Sequence, residues 1–255
     1  MTEALPDILA LGQASLAVGV AVFLRVGGAM AVLPAFGERS VPVRVRLGLA
    51  LAFTAIVAPA VAARVAPVAE APRILLTEPL IGVALGLAIR LFVMALQVAG
   101  AIAAHATSLA QIFGAAAVDP QPAMGHLMLV GGLALAAMAG LHVRVAEALI
   151  GSYTALPAGR WPDAAVISQW GLRRVAAAFA LAFSLAAPFV LASMVYNLAL
   201  GVINRAMPQL MVAFVGAPAL TAGGLILLFL SLPLLLSVWI DGFTAYLADP
   251  FGAGP

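Results

Sequence analysis

The sequence predicts an all-α integral membrane protein built from about six long, apolar, kinked helices. Three observations predict it. Of 255 residues, 65% are hydrophobic and only 9% charged, more apolar surface than one soluble core can hide, so lipid or a large partner must cover the surplus. Apolar runs recur at close to the ~17–25 residues that a spanning helix needs. The runs are rich in Ala and Leu and apolar on all faces, instead of alternating as the strands of a barrel would.

In chain order the runs are Ile8 to Leu33, Leu47 to Ala63, Ile74 to Ala104, Leu127 to Val143, Val175 to Leu200 and Leu210 to Leu236. A cleaved leader needs a basic start, whereas this chain opens with Glu3 and Asp7 and has no Arg before Arg25, so the first run is expected to be kept. Turn formers mark the joints: Pro34 with Gly37, Pro67 with Pro72, Asp119-Pro120-Gln121-Pro122, Pro157 with Gly159 and Pro162, and Gly201 to Pro208. None has the composition of a domain linker, and residues 1–255 are expected to form one domain. Inside the runs, Pro59, Pro188, Pro218 and Pro233 each remove a backbone donor, which predicts kinks or hairpins. Small residues four apart, Gly82 with Gly86 and Gly132 with Ala136 and Gly140, predict close helix packing.

Charge is sparse. Twelve Arg stand against ten acids, with no Lys and no Cys. The positive charge forms no stripe, which argues against a nucleic-acid partner. The joint containing Arg144, Arg160, Arg173 and Arg174 is cytoplasmic by the positive-inside rule, with both termini outside. Counting back places Arg39, Arg44 and Arg46 outside, against the same rule, so either one run does not cross or an ordinary bilayer topology does not apply. Arg25 and Arg90 sit inside apolar runs, where an Arg facing lipid costs about 2.5 to 3.5 kcal/mol. They are expected to face protein or water, with pore lining and pairing to a buried carboxylate both open.

Enzyme chemistry finds no support. His105, His126 and His142 stand apart, with no carboxylate cluster at metal-ligand spacing. Ser184 or Ser193 with His142 carries no protease motif. A phosphate-binding loop ending in Lys is impossible without Lys. No cofactor is expected.

Two stretches carry a family resemblance. Arg25-Val-Gly-Gly-Ala-Met-Ala-Val-Leu-Pro-Ala-Phe-Gly-Glu-Arg-Ser-Val-Pro-Val-Arg-Val-Arg-Leu-Gly-Leu-Ala50 and Asn197-Leu-Ala-Leu-Gly-Val-Ile-Asn-Arg-Ala-Met-Pro-Gln-Leu210 resemble signatures of the FliR/SctT family of type III export-gate subunits, on its flagellar branch. Val118-Asp-Pro120, Gly140-Leu-His142 and Ser152-Tyr-Thr-Ala-Leu-Pro-Ala-Gly159 follow in the family's order. The chain departs where Gly216-Ala-Pro218 replaces a more usual Gly-Phe-Pro, and the region from Asp119 to His142 is shorter than the family's pattern.

The resemblance implies a non-enzymatic subunit that packs as helical hairpins against FliP-like and FliQ-like subunits. It implies further work with FlhB-like and FlhA-like components, in membrane lipid, at the flagellar basal body of the bacterial inner membrane. Unfolded flagellar substrates would pass through the assembly. Residues Ser108 to Asp119 match the position of a family loop that closes the lumen, so Gln111, Ile112, Phe113, Gly114 and Val118 are candidates for a plug, or else form an ordinary apolar turn. Arg25, Arg44, Arg46, Asn204, Arg205, Pro208 and Gln209 are candidates for structure and assembly. Of these, Asn204, Arg205 and Gln209 would satisfy backbone groups freed by Pro208 or contact substrate. The alternatives are the equivalent subunit of a virulence injectisome and a small-solute secondary transporter.

Overall fold

A computed structural model of the chain describes residues 4–38, 41–107, 123–207 and 212–252. Seven α-helices account for nearly all of them, and no strand occurs among the described residues. They are α1 (Ala4–Val32), α2 (Val43–Val65), α3 (Ile74–Thr107), α4 (Ala123–Met138), α5 (Leu141–Ala155), α6 (Ala164–Ala206) and α7 (Val212–Ala248), with a short 3-10 turn at Ala66–Val68. All-α membrane architecture is therefore what the sequence folds into. Five of the helical spans are long and apolar enough to cross a bilayer.

The fourth apolar run is where the sequence reading needs correction. It was expected to be one segment from Leu127 to Val143, but the chain breaks inside it, and α4 and α5 meet at a bend of 75°. Gly140 makes the bend: its φ is +80°, a left-handed conformation that other residues adopt at a cost. Nothing lies within 4 Å of where its Cβ would be, so Gly140 is a turn residue and not the third member of a packing stripe. The pair is thus a broken span or a re-entrant one. Conversely, α2, α6 and α7 continue through Pro59, Pro188, Pro218 and Pro233, and α3 continues through Pro79.

The chain divides into two compact units. The first comprises residues 1–91, 137–175 and 243–255. Within it α1 and α3 run parallel and almost touch. A Cβ on Gly28 would stand 2.5 Å from the Pro79 carbonyl oxygen, one on Gly82 would strike the Arg25 carbonyl oxygen, and one on Gly86 would stand 2.7 Å from the Ala29 carbonyl oxygen. Contact of this kind is how helices associate where no hydrophobic drive separates them from lipid. α2 turns back against α1 through a tight joint after Leu33 and also packs on α5. Gly37 N–H donates to the Leu33 carbonyl at 2.6 Å, Ala35 adopts φ +66°, and Phe36 meets Phe53 edge to face at 5.9 Å. Val26, Met30, Val57, Val61, Ile89 and Val145 fill the core with no exposed surface.

The second unit comprises residues 92–136 and 176–242. α4 lies against α3 at a glycine crossing, where a Cβ on Gly100 would strike Gly125. Gly132 leaves room for Leu96 and for the Trp239 indole, whose Nε1–H donates to the Phe92 carbonyl at 3.0 Å. α6 and α7 are tied by Tyr196, whose hydroxyl donates to the Gly216 carbonyl at 2.8 Å. The outer faces stay apolar: Phe183, Met194, Leu198 and Phe229 are 61%, 69%, 71% and 80% exposed. Only lipid or other proteins can cover such faces.

Candidate functional site

Of the sequence candidates, Arg25 has the most developed surroundings. It lies on α1 within the first unit and is wholly buried. Its Nε pairs with Glu78 Oε2 on α3 at 2.8 Å, one Nη donates to Ser152 Oγ on α5 at 3.0 Å, and the other donates to the Leu156 carbonyl at 2.9 Å. The Tyr153 ring covers the guanidinium face, 3.7 Å from ring centroid to Cζ. The second Glu78 oxygen, Oε1, accepts the Gly159 backbone N–H at 2.9 Å. One ion pair thereby joins α1, α3, α5 and the turn that follows α5.

The chemistry explains why Arg serves here. A planar fork of five donors can reach a carboxylate, a hydroxyl and a carbonyl at once, and its flat face can stack on a ring. A buried ion pair is tolerable only when its remaining hydrogen-bonding groups also find partners, and here both carboxylate oxygens and all three guanidinium nitrogens do. Sequence reading left lumen lining and carboxylate pairing open for Arg25, and the geometry is a closed, internally satisfied pair. It did not name Glu78. A signal was present, since Glu78 is the one carboxylate inside any of the six apolar runs.

The other candidates are dispersed. Arg46 donates to the Glu38 carbonyl at 2.9 Å and so braces the α1–α2 joint, while Arg44 is exposed. Arg90, the second Arg within an apolar run, is 35% exposed and reaches the Val32 carbonyl at 3.2 Å and Glu38 at 3.8 Å. Asn204 and Arg205 stand exposed on the last turn of α6. Pro208 and Gln209 lie outside the described residues, as do Gln111, Ile112, Phe113, Gly114 and Val118.

His105, His126 and His142 are all exposed. Among the described residues no group of three His, Cys, Asp or Glu side chains is placed to hold a metal ion. Ser184 and Ser193 each donate to a carbonyl of their own helix, Ala180 at 2.8 Å and Val190 at 2.9 Å.

Residues 16–246 match the profile of the family described as bacterial export proteins, family 1. The chain belongs to that family. Among curated relatives, the flagellar biosynthetic protein FliR of Caulobacter vibrioides is 34% identical over 232 residues, covering 89% of this chain and 92% of the relative. The protein of the same name from Escherichia coli is 31% identical, covering 83% of each chain, and that of Aquifex aeolicus is 30% identical, covering 84% of each. The bacterial export family match takes in the whole Arg25 centre, the 75° bend and the end of α6, so these features belong to the region shared with the family.

Proposed function

We propose that this chain is a non-enzymatic subunit of the flagellar type III protein-export gate in the bacterial inner membrane, at the flagellar basal body. It would assemble with FliP-like and FliQ-like subunits, next to FlhA-like and FlhB-like components, into a conduit for unfolded flagellar substrates. The observation that carries this reading is the extent of the likeness: relatives named FliR align with this chain over 83 to 92% of their own length. The apolar faces of α6 and α7 support it, since two helices that expose Phe183, Leu198 and Phe229 are suited to packing against other membrane helices as well as lipid.

In this reading Arg205 and Asn204 act at assembly. Both side chains lie exposed at the end of α6 and take part in none of the described hydrogen bonds, so their donors are available to a neighbouring subunit. The segment Gln111 to Val118 is proposed as the plug of the conduit, because an uncharged apolar constriction resists wetting and ion entry. The test is gentle purification of the tagged chain from its own membranes, followed by identification of what co-purifies. FliP-like and FliQ-like proteins should be recovered in constant ratio, with Arg205→Ala lowering their yield. Recovery of the chain alone, or with unrelated transporters, would remove the proposal.

A further inference from the structure

The chain that follows α7 turns onto the start of α6, within the first unit. α7 ends at Ala248 and is followed by Asp249-Pro250-Phe251-Gly252, with Asp, Pro and Gly at the first, second and fourth positions that a tight turn favours. Pro250 also disfavours the helical conformation at Asp249 before it, where the helix gives way. Asp249 Oδ1 accepts the Gly252 N–H at 2.8 Å, and a Cβ on Gly252 would strike the same carboxylate. The turn is therefore braced by its own residues, which lowers the entropy cost of seating it.

It is held by side chains one helical turn apart on α6, which share a face. Trp170 is buried, and its Nε1–H donates to the Pro250 carbonyl at 3.1 Å. A buried indole N–H needs an acceptor, and the one described here comes from the turn. The Phe251 ring stacks on the Trp170 indole, with 5.7 Å between centroids and 21° between planes. Arg174 donates from one Nη to the Gly252 carbonyl at 2.7 Å, and its guanidinium carbon lies 4.9 Å from the centre of the Tyr246 ring on α7. Its neighbour Arg173 is exposed, whereas Arg174 is half-buried and takes part in none of the described ion pairs. A main-chain carbonyl and an aromatic face are thus what its charge meets.

We propose that Trp170, Arg174 and Tyr246 form a peptide-binding site for a turn of Pro, an aromatic residue and Gly, and that the chain's own residues 249–252 fill it as a displaceable strap. The site reads two main-chain carbonyls and one stacked ring. Filled, it fixes the start of α6 to the end of α7. Emptied, it leaves the Trp170 and Arg174 donors without these acceptors, so it is poised to take a turn of the same chemistry supplied in trans. The covalent tether gives the strap the advantage of a high local concentration. The site depends on contacts within the first unit and holds whether or not the chain lines an export conduit.

The test uses the full chain in mild detergent with fluorotryptophan incorporated. Its three Trp should give separate fluorine resonances, assigned with Trp161→Phe and Trp170→Phe. Stacking puts the Trp170 indole in the ring current of Phe251, so Phe251→Ala should shift the Trp170 resonance and leave those of Trp161 and Trp239 in place. A chain ending at Ala248 should show the same shift. An acetylated and amidated peptide of residues 249–252, at the millimolar concentrations that a short tether supplies, should return the resonance to its full-length position. Arg174→Gln should raise the peptide concentration required by about tenfold, through loss of a charge-assisted hydrogen bond. A Trp170 resonance indifferent to the truncation, no return with the peptide, or an equal return with the same four residues in reverse order would each overturn the proposal. Should the shortened chain lose the melting curve of the full one, the Phe251→Ala chain takes its place, and the peptide must compete there with the weakened strap for the same return.

Discussion

Arg25 and Glu78 are 53 residues apart in the sequence and meet at 2.8 Å with neither side chain exposed. Removing one partner strands the other charge in an apolar interior, which costs about 3 to 5 kcal/mol. Arg25→Leu and Glu78→Leu should therefore each lower the melting temperature of the purified chain sharply. The double variant should recover part of the loss, because it leaves no unpaired charge. A double-mutant cycle in one detergent measures the coupling, and independent, additive losses would show that the pair does not act as a unit.

A second expectation concerns the contact between α1 and α3. An Ala Cβ at Gly82 would strike the Arg25 carbonyl oxygen and lie 3.0 Å from Ala29 N, so the two backbones must separate. Gly82→Ala should destabilise the chain by about 1 to 3 kcal/mol. Gly48 on α2 has nothing within 4 Å of its Cβ position, and Gly48→Ala should be neutral or stabilising by about 0.5 to 1 kcal/mol. Thermal unfolding of the two variants side by side checks both the sign and the contrast.

The Arg25 pair also shows how far the sequence was legible. Runs of 17 or more apolar residues leave one structural choice in lipid, since only a helix satisfies its own backbone there, and among the described residues all but one of the runs follow a single helix. The exception turned on Gly140, whose left-handed φ is invisible in a stretch where glycine also serves packing. The prolines inside the other runs do not end them, because a long helix held by neighbours tolerates the loss of one hydrogen bond. An Arg within an apolar run announced a buried partner, and Glu78 stood in another run. The involvement of Ser152, Leu156 and Gly159 depended on the turn after α5 folding back, which no local pattern encodes.

The plug proposal gives a third expectation. Replacing Ile112 and Phe113 together by Ala should leave the complex assembled and let it pass ions and small solutes, because a shorter apolar barrier wets more readily. Growth inhibition and loss of membrane potential on expression with the partner subunits, compared with expression of the chain alone, report the leak. An assembled, tight and export-competent double variant would show that this segment does not close the conduit.

Secretion in a clean deletion strain tests most directly whether this chain works in flagellar protein export. Hook and filament proteins should vanish from the culture medium, general membrane protein insertion should be unaffected, and a plasmid copy of the wild-type chain should restore secretion. Normal filaments and wild-type levels of secreted hook protein in the deletion strain would contradict it.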